Sequence, residues 1–344
     1  MYRYPAEWEP QDGIMLTWPH PETDWLPVLD QVEPVFVDIA RHTSRFEKVI
    51  ISCHNQAHCE HVQQLLETAD LNMANCHLYI CPSNDSWVRD HGPVTILDHG
   101  KPQLLDFTFN GWGNKYPAPL DNRVTQTLYG QGVFNQTPIS TLSFVLEGGS
   151  LETDGQGTLL TTTSCLLSPQ RNPDMDQADI DATLCNSLGV NRVLWLYHGH
   201  MLGDDTDGHI DTLARFIDPD TIMYVSCDDA TYPGQSSLQQ MENELQALNK
   251  TDGTPYRLIP LPFANIRNEQ GDYLPASYAN FLIINGAVLV PLYDVEADQA
   301  VIELFNKHFV DREVIGINCR PLVQQFGSLH CVTMHIPEGV IHDK

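Results

Sequence analysis

Short apolar or alternating runs, each too brief for a helix, recur from one end of the chain to the other, and helical patterns fall between groups of them instead of after every one. Residues 13–18, 48–52, 78–80, 104–109, 143–146, 158–161, 192–196, 221–225, 281–284 and 287–291 read as strands, the last two joined by an Asn285-Gly286 hairpin turn. Helical patterns cover 27–43, 58–68, 176–188, 236–249 and 297–308. The chain is therefore expected to be mixed α/β. A purely parallel doubly wound sheet is disfavoured, because it would place a helix after every strand. The proline-rich stretches 116–119 and 259–262 read as loops, too short to be linkers.

Length alone, at 344 residues, suggests about two domains, but a repeat architecture would make it one. Eighteen Lys and Arg against 45 Asp and Glu give a net charge of −27. Such a field repels nucleic acid and anionic membranes and attracts small cations, so neither of the first two is expected as a partner. The start lacks the apolar segment of a signal peptide, and no run approaches the ~20 apolar residues that span a bilayer. Nine cysteines without framework spacing fit a reducing, intracellular compartment.

One cysteine has catalytic-looking surroundings. Cys331 lies in Phe326-Gly327-Ser328-Leu329-His330-Cys331-Val332-Thr333, a small-residue turn feeding an apolar segment. Three other glycine-flanked segments carry carboxylates and a histidine: Trp87-Val88-Arg89-Asp90-His91-Gly92, Leu146-Glu147-Gly148-Gly149-Ser150 and Gly208-His209-Ile210-Asp211. The step from Asp90 to Glu147 is 57 residues, from Glu147 to His209 62, and from His209 to Cys331 122, about twice as long. Five strand-strand-helix-strand units of that period would fill the chain, and a radial arrangement would bring one residue per unit to a common axis, with one unit skipped.

Thiolate catalysis at a carbon needs a nucleophile, a proton carrier and groups that hold the electrophile. Cys331, His209 and the carboxylates of Asp90, Glu147 and Asp211 can fill those roles. Singly each has a plainer reading, since free cysteines are mostly buried and Asp or Glu beside Gly commonly serves turns. Together, three carboxylates around one site are costly unless the ligand is cationic, and a planar guanidinium is the cation that two carboxylates grip. On an extended segment His209 and Asp211 would share a face. The carboxylates would also raise the thiol pKa until a cation binds or His209 is protonated.

Metal chemistry is the rival. His198, His200 and the acidic run Asp204-Asp205-Thr206-Asp207 suggest a metallohydrolase but match no helix-borne H-E-x-x-H pattern, and the run fails the calcium-loop register. Cys53-His54 with His58-Cys59-Glu60-His61 lacks a C-x-x-C pair and reads as a solvated helix start. No metal site is expected, and no phosphate loop or dinucleotide fingerprint occurs.

These segments resemble the agmatine deiminase family, within a superfamily that includes bacterial peptidyl-arginine deiminases and amidinotransferases. The resemblance is carried by residues 5–11, 84–93, 144–150, 165–173, 208–211, 276–282 and 330–333, in order. It implies a five-bladed α/β propeller, the pentein fold, with pseudo-five-fold symmetry in a single domain spanning 1–344. It also implies hydrolysis of agmatine to N-carbamoylputrescine and ammonia, a step of putrescine formation, without a cofactor, in a cytoplasmic homodimer. Carried over, Cys331 is the nucleophile, His209 the general acid and base, Asp90 and Asp211 the guanidinium ligands, and Glu147 the group that orients His209; Trp87 is expected beside the substrate.

The chain departs from the family at residues 326–329, 334–335 and His91. These changes spare the five chemical residues and fall where the substrate's tail is expected. Alternatives are deimination of free or peptide-borne arginine, amidino transfer, a metal-dependent amidohydrolase using His198 and His200, or a silent binder of cations.

Overall fold

The strand Lys48–Cys53, of sequence KVIISC, is buried from its second residue onward, a continuous apolar run typical of strands covered on both faces. The computed structural model describes residues 2–341 and places this strand between two parallel neighbours, Gln11–Thr17 and Cys76–Ile80. The crossovers are the helices Leu29–Thr43 and Gln56–Thr68. Leu29–Thr43 buries Val32, Val35, Phe36 and Ile39, the three-to-four spacing of a single face. Phe36 meets Trp18 with ring centroids 5.5 Å apart; truncating it to alanine would cost about 3–5 kcal/mol. The free edge of Gln11–Thr17 is taken antiparallel by Met334–Pro337, so an early and a late segment of the chain share one sheet.

Four further sheets repeat one connectivity: an antiparallel hairpin, a helix, then a strand parallel to the hairpin's second arm. The first runs Val94–Asp98, Lys101–Thr108, helix Val124–Gly130, Ile139–Val145, and Tyr2–Arg3 extends its edge. The next runs Glu152–Thr153, Thr158–Thr162, helix Gln177–Leu188, Arg192–Leu196. A third follows through Ala214–Asp218, Thr221–Ser226, helix Gln235–Ala247 and Arg257–Pro262. The last comprises Leu282–Ile284, Ala287–Leu292, helix Ala297–His308 and Glu313–Asn318. Taking Met334–Pro337 as a first arm, the sheet that holds Lys48–Cys53 has the same connectivity. The fold is mixed α/β, as the interleaved pattern implied.

One expectation is corrected. Residues 259–262 do not form a loop but belong to the strand Arg257–Pro262. The strand pairs only with Thr221–Ser226, so it is an edge. Pro260 and Pro262 are tolerated there because an edge strand has backbone positions whose N–H has no ladder partner to lose. No helix among the described residues is long and apolar enough to cross a membrane.

Candidate active site

Each hairpin is entered through a short turn, and the turns carry the candidate residues. Asp90 lies in the turn Val88–His91, Glu147 precedes the 3-10 turn Gly148–Ser150, and His209 and Asp211 open the 3-10 turn Ile210–Thr212. These turns pack on one another in that order. Cys331 precedes Met334–Pro337 in the same way, and the remaining unit, skipped in the sequence spacing, enters through Asn280. His209 and Asp211 are therefore on a tight turn, not the extended segment the i, i+2 spacing suggested.

The side chains converge on Gly149. A Cβ there would lie 2.5 Å from His209 Nδ1, 2.8 Å from Asp90 Oδ1 and 3.2 Å from Asp211 Oδ2, so only glycine fits. Its N–H donates to Asp90 Oδ1 at 3.0 Å, and Trp112 Nε1 donates to Asp90 Oδ2 at 2.9 Å. His209 Nδ1 stands 3.6 Å from Asp90 Oδ1. The Cys331 thiol points to Asn280 Oδ1 at 3.4 Å and is 3.9 Å from Asp211 Oδ2. Asn280 Oδ1 also accepts from the backbone N–H groups of His330, at 2.8 Å, and Cys331, at 3.3 Å, fixing the loop that carries Cys331.

Burial, together with the carboxylates of Asp211 and Asp90, pushes the Cys331 thiol well above its ordinary value. Burial, opposed by His209, lifts the Asp90 carboxyl to about 6, with Asp211 and Glu147 adding to the rise. For His209 burial works against the charged ring, but Asp90, Cys165 and Glu147 outweigh it and hold the imidazolium well above the usual range. Asp211 is held low despite its burial, chiefly by the hydrogen bond from His330. These groups together favour a neutral thiol beside an imidazolium, and a cation bound between them would stabilise the thiolate.

Glu147 is completely buried beside His209, but its hydrogen bonds go elsewhere. Arg171 Nε donates to both of its oxygens at 2.9 Å. The same guanidinium reaches Asp207 Oδ2 at 2.7 Å and the Thr206 carbonyl at 2.9 Å, in the loop leading into His209. Glu147 can therefore orient His209 through Arg171 and that loop, while neither ring nitrogen of His209 has a hydrogen-bond partner. Ligand atoms of Glu147, Cys165 and His209 lie within 4.8 Å of one another, the one grouping of metal-ligand type among the described residues. With Arg171 on both Glu147 oxygens and a proton favoured on His209, its donor set suits a metal poorly. His198 and His200 are outside that grouping: both are exposed, and His198 Nδ1 is 2.6 Å from Glu244 Oε1. His58 spends its ring nitrogens on the His54 N–H and near the Pro19 carbonyl.

A cavity of about 130 Å³ ends at Cys331 and Asp90; Trp87, Trp112, Asp24, Asp85 and Asp205 are among its lining residues, and among the described residues no Lys or Arg is. Trp87 is thus where a substrate-contacting residue is expected. A Cβ on Gly327, in the departing segment, would collide with the Trp87 ring, so glycine sets the wall. Arg89 and Arg215, the cations nearest the motifs in sequence, are committed elsewhere. Arg215 binds Glu152 and Glu7, and Arg89 reaches His335 Nδ1 at 3.0 Å and Glu7 at 3.4 Å. His91 is buried against Phe109 with no partner for its ring, and burial depresses its pKa to about 3.

Trp112, Arg171, Asn280, His330 and Glu7 were not singled out from the sequence. All but Trp112 lie inside the quoted family-like segments, and Trp112 is announced only by its flanking glycines.

Solved structures of high similarity cover nearly the whole chain. A structure described as "Putative Arginine Deiminase from Porphyromonas gingivalis" is 50% identical, with a TM-score of 0.94 over 99% of this chain and 100% of that one. The C. jejuni agmatine deiminase with substrate bound is 35% identical, with a TM-score of 0.91 over 99% and 97%. A curated Enterococcus faecalis protein named "Putative agmatine deiminase" is 33% identical over 98% of this chain and 96% of its own. With such relatives and neighbours, the chain is an agmatine deiminase-like hydrolase acting on guanidino C–N bonds. It belongs to the Porphyromonas-type peptidyl-arginine deiminase family, whose model matches residues 3–337.

Proposed function

We propose that this chain hydrolyses agmatine to N-carbamoylputrescine and ammonia by covalent cysteine catalysis. The observation that carries the choice of substrate is the cavity leading to Cys331, lined by Asp24, Asp85, Asp90 and Asp205 and, among the described residues, by no Lys or Arg. A guanidinium at its foot would meet Asp90 and Asp211, and an ammonium at the far end of the same molecule would meet carboxylates. An α-carboxylate there would be repelled. At about 130 Å³ the cavity is also below the ~300 Å³ at which ordinary ligand sites begin, which suits a slender chain better than a peptide.

In this reading the bound cation lowers the cost of ionising Cys331, whose proton passes to solvent because His209 already carries one, and the thiolate attacks the guanidino carbon. The C–N bond breaks as His209 gives its proton to the departing nitrogen, which leaves as ammonia. An S-alkylthiouronium remains on Cys331. Water then adds to the same carbon, His209 takes a proton, and the C–S bond breaks to give the ureido product and the restored thiol. No cofactor or metal enters. The substrate-bound C. jejuni protein carries a Cys-to-Ser replacement, which accords with a cysteine nucleophile in a relative.

The five sheets of common connectivity support a five-bladed propeller with pseudo-five-fold symmetry as one domain over residues 1–344. A cytoplasmic homodimer is part of the same proposal. Arginine deimination is the second reading, favoured by the name of the 50% identical P. gingivalis structure. Ammonia release from agmatine, free arginine and a C-terminal-arginine peptide decides between them. A higher kcat/KM for either arginine substrate than for agmatine would overturn the first reading.

A further inference from the structure

The residue before the nucleophile is held on both sides. His330 is 1% exposed; its Nδ1 is 2.7 Å from Asp211 Oδ2 and its Nε2 is 2.7 Å from Glu7 Oε2. A neutral imidazole has one N–H and one lone pair, so it cannot donate to two carboxylates. Glu7 lies deep in its ionised state. Burial opposes this, but Arg215 at 3.0 Å, His330 and Arg89 outweigh it, and the Ile283 N–H adds a bond at 2.8 Å. With a carboxylate 2.7 Å from each ring nitrogen, the ring donates at both ends only as the imidazolium.

Other charges bear on that protonation. Burial and the guanidinium groups of Arg215 and Arg89 outweigh Glu7 and Asp211 and set His330 below its ordinary value. From the packed elements, the groups around it are Glu7 in the N-terminal segment, Arg89 and Asp90 in the turn Val88–His91, Asp211 in the turn Ile210–Thr212, Arg215 in Ala214–Asp218 with its partner Glu152, and His335 in Met334–Pro337. Asp211 in turn has one oxygen engaged by His330, while its Oδ1 is buried with no partner. A buried acceptor left empty costs about 1–3 kcal/mol, which a ligand N–H would recover.

We propose that His330 is a positioning residue for the guanidine reaction: its Nδ1–H fixes one oxygen of Asp211 and, backed by Glu7, keeps that carboxylate ionised with the other oxygen open to a guanidinium N–H. The inference rests on the reading of Asp211 as a guanidinium ligand. Without the donor, a carboxylate buried beside Asp90 and Cys331 would take up a proton at higher pH and lose its grip on a cation.

The test is calorimetric binding of agmatine between pH 5 and 8 in a Cys331→Ser background, so that turnover is not required. His330→Asn keeps a donor near the Nδ1 position, whereas His330→Gln places its amide nearer Nε2 and leaves Asp211 bare. The Gln variant is expected to bind about tenfold more weakly at pH 7, with its acid fall-off displaced upward by about one pH unit, and the Asn variant to stay within about threefold of the parent. Should the Gln variant fail to fold, His330→Ala carries the same contrast. A Gln or Ala variant with the parent's affinity and pH profile, or an Asn variant no better than either, overturns the inference. If the Cys331→Ser parent itself binds no agmatine, the functional reading falls first and this inference with it.

Discussion

Trp112 donates its indole N–H to Asp90 Oδ2 at 2.9 Å from a left-handed backbone, φ 53° and ψ 50°. That region costs a bulky residue about 1–3 kcal/mol. The conformation is held by T-shaped packing on Phe109 at 5.0 Å and on Tyr116 at 5.6 Å, and Gly111 and Gly113 on either side also take positive φ. The loop places one donor on one carboxylate. Trp112→Phe keeps the ring and removes that donor, so the Asp90 carboxyl should rise further above about 6. Only the ionised form grips a cation, so kcat/KM should fall as pH drops through this value, at a higher pH in the variant. A loss of about tenfold at pH 7 is expected. Superimposable pH–rate profiles would remove Trp112 from the site.

Replacing Cys331 by Ser should abolish turnover while leaving agmatine binding and thermal stability close to wild type. A hydroxyl in this anionic pocket ionises even less readily than the thiol, which burial and two carboxylates already hold neutral. Iodoacetamide should inactivate the wild type with substrate protecting, and the modified residue is identified by mass. A Ser variant retaining more than about a hundredth of the rate would discredit the assignment.

The Glu147–Arg171 pair changes what Glu147→Gln should do. A group that only oriented His209 would act mainly on rate, but Glu147 and the Arg171 side chain are fully buried as a 2.9 Å pair. Removing the Glu147 charge leaves the buried Arg171 with Asp207 alone as its counter-charge, at a cost below the about 3–5 kcal/mol of a fully stranded buried ion. Glu147→Gln should therefore lower both the melting temperature and kcat, through Arg171 and the loop that carries His209. A variant with unchanged melting temperature and reduced kcat would instead favour a direct role on the imidazole.

Buried carboxyls make stability depend on pH in the direction opposite to ordinary acid denaturation. Glu47 is 5% exposed, with one oxygen unpartnered and the other accepting the Asn285 N–H at 2.8 Å. Burial, only partly offset by that bond, lifts its carboxyl to about 8 from 4.5. The folded state holds this proton more tightly than the unfolded state. Its stabilisation is complete below pH 4.5 and is lost as pH rises through about 8. Asp121 and Glu152, each lifted to about 7 chiefly by burial, act in the same direction. Glu47→Gln should thus gain a few °C in melting temperature relative to wild type between pH 5 and pH 9. A difference that does not change with pH would refute the titration.

The strand order of each unit was within reach of the sequence because hydrophobic runs and hairpin turns are local signals, and Asp90, Glu147, His209, Asp211 and Cys331 all enter their strands through glycine-flanked turns. Asn280 and His330 were not singled out. Their roles arise from contacts with Cys331 and with Glu7 that close across 51 and 323 residues, which no periodicity encodes. Arg171 read as one letter of a family-like segment, because its partner Glu147 lies 24 residues back on the entry turn of the same unit, a pairing that appears only once that unit is folded. The edge strand Arg257–Pro262 was hidden by its prolines, whose meaning depends on which side of the strand is left unpaired.

Substrate choice should reside at the mouth of the cavity, where Asp24 is exposed on the rim and Asp205 is partly buried and accepts the Tyr116 hydroxyl at 3.0 Å. Asp24 has the fewer structural ties of the two, so changing it tests recognition without disturbing the loop. Asp24→Asn should lower kcat/KM for agmatine by about three- to tenfold, nearly all of it in KM, because the lost carboxylate acts on the distant ammonium and not on the reacting carbon. Added salt should weaken the wild type more than the variant. Asp24→Lys, which reverses the charge at the rim, should lower agmatine further and raise free arginine relative to it by offering its α-carboxylate a cation. If the agmatine-to-arginine ratio is the same in wild type, Asp24→Asn and Asp24→Lys, the acidic mouth does not select the substrate and the choice must be made elsewhere in the cavity.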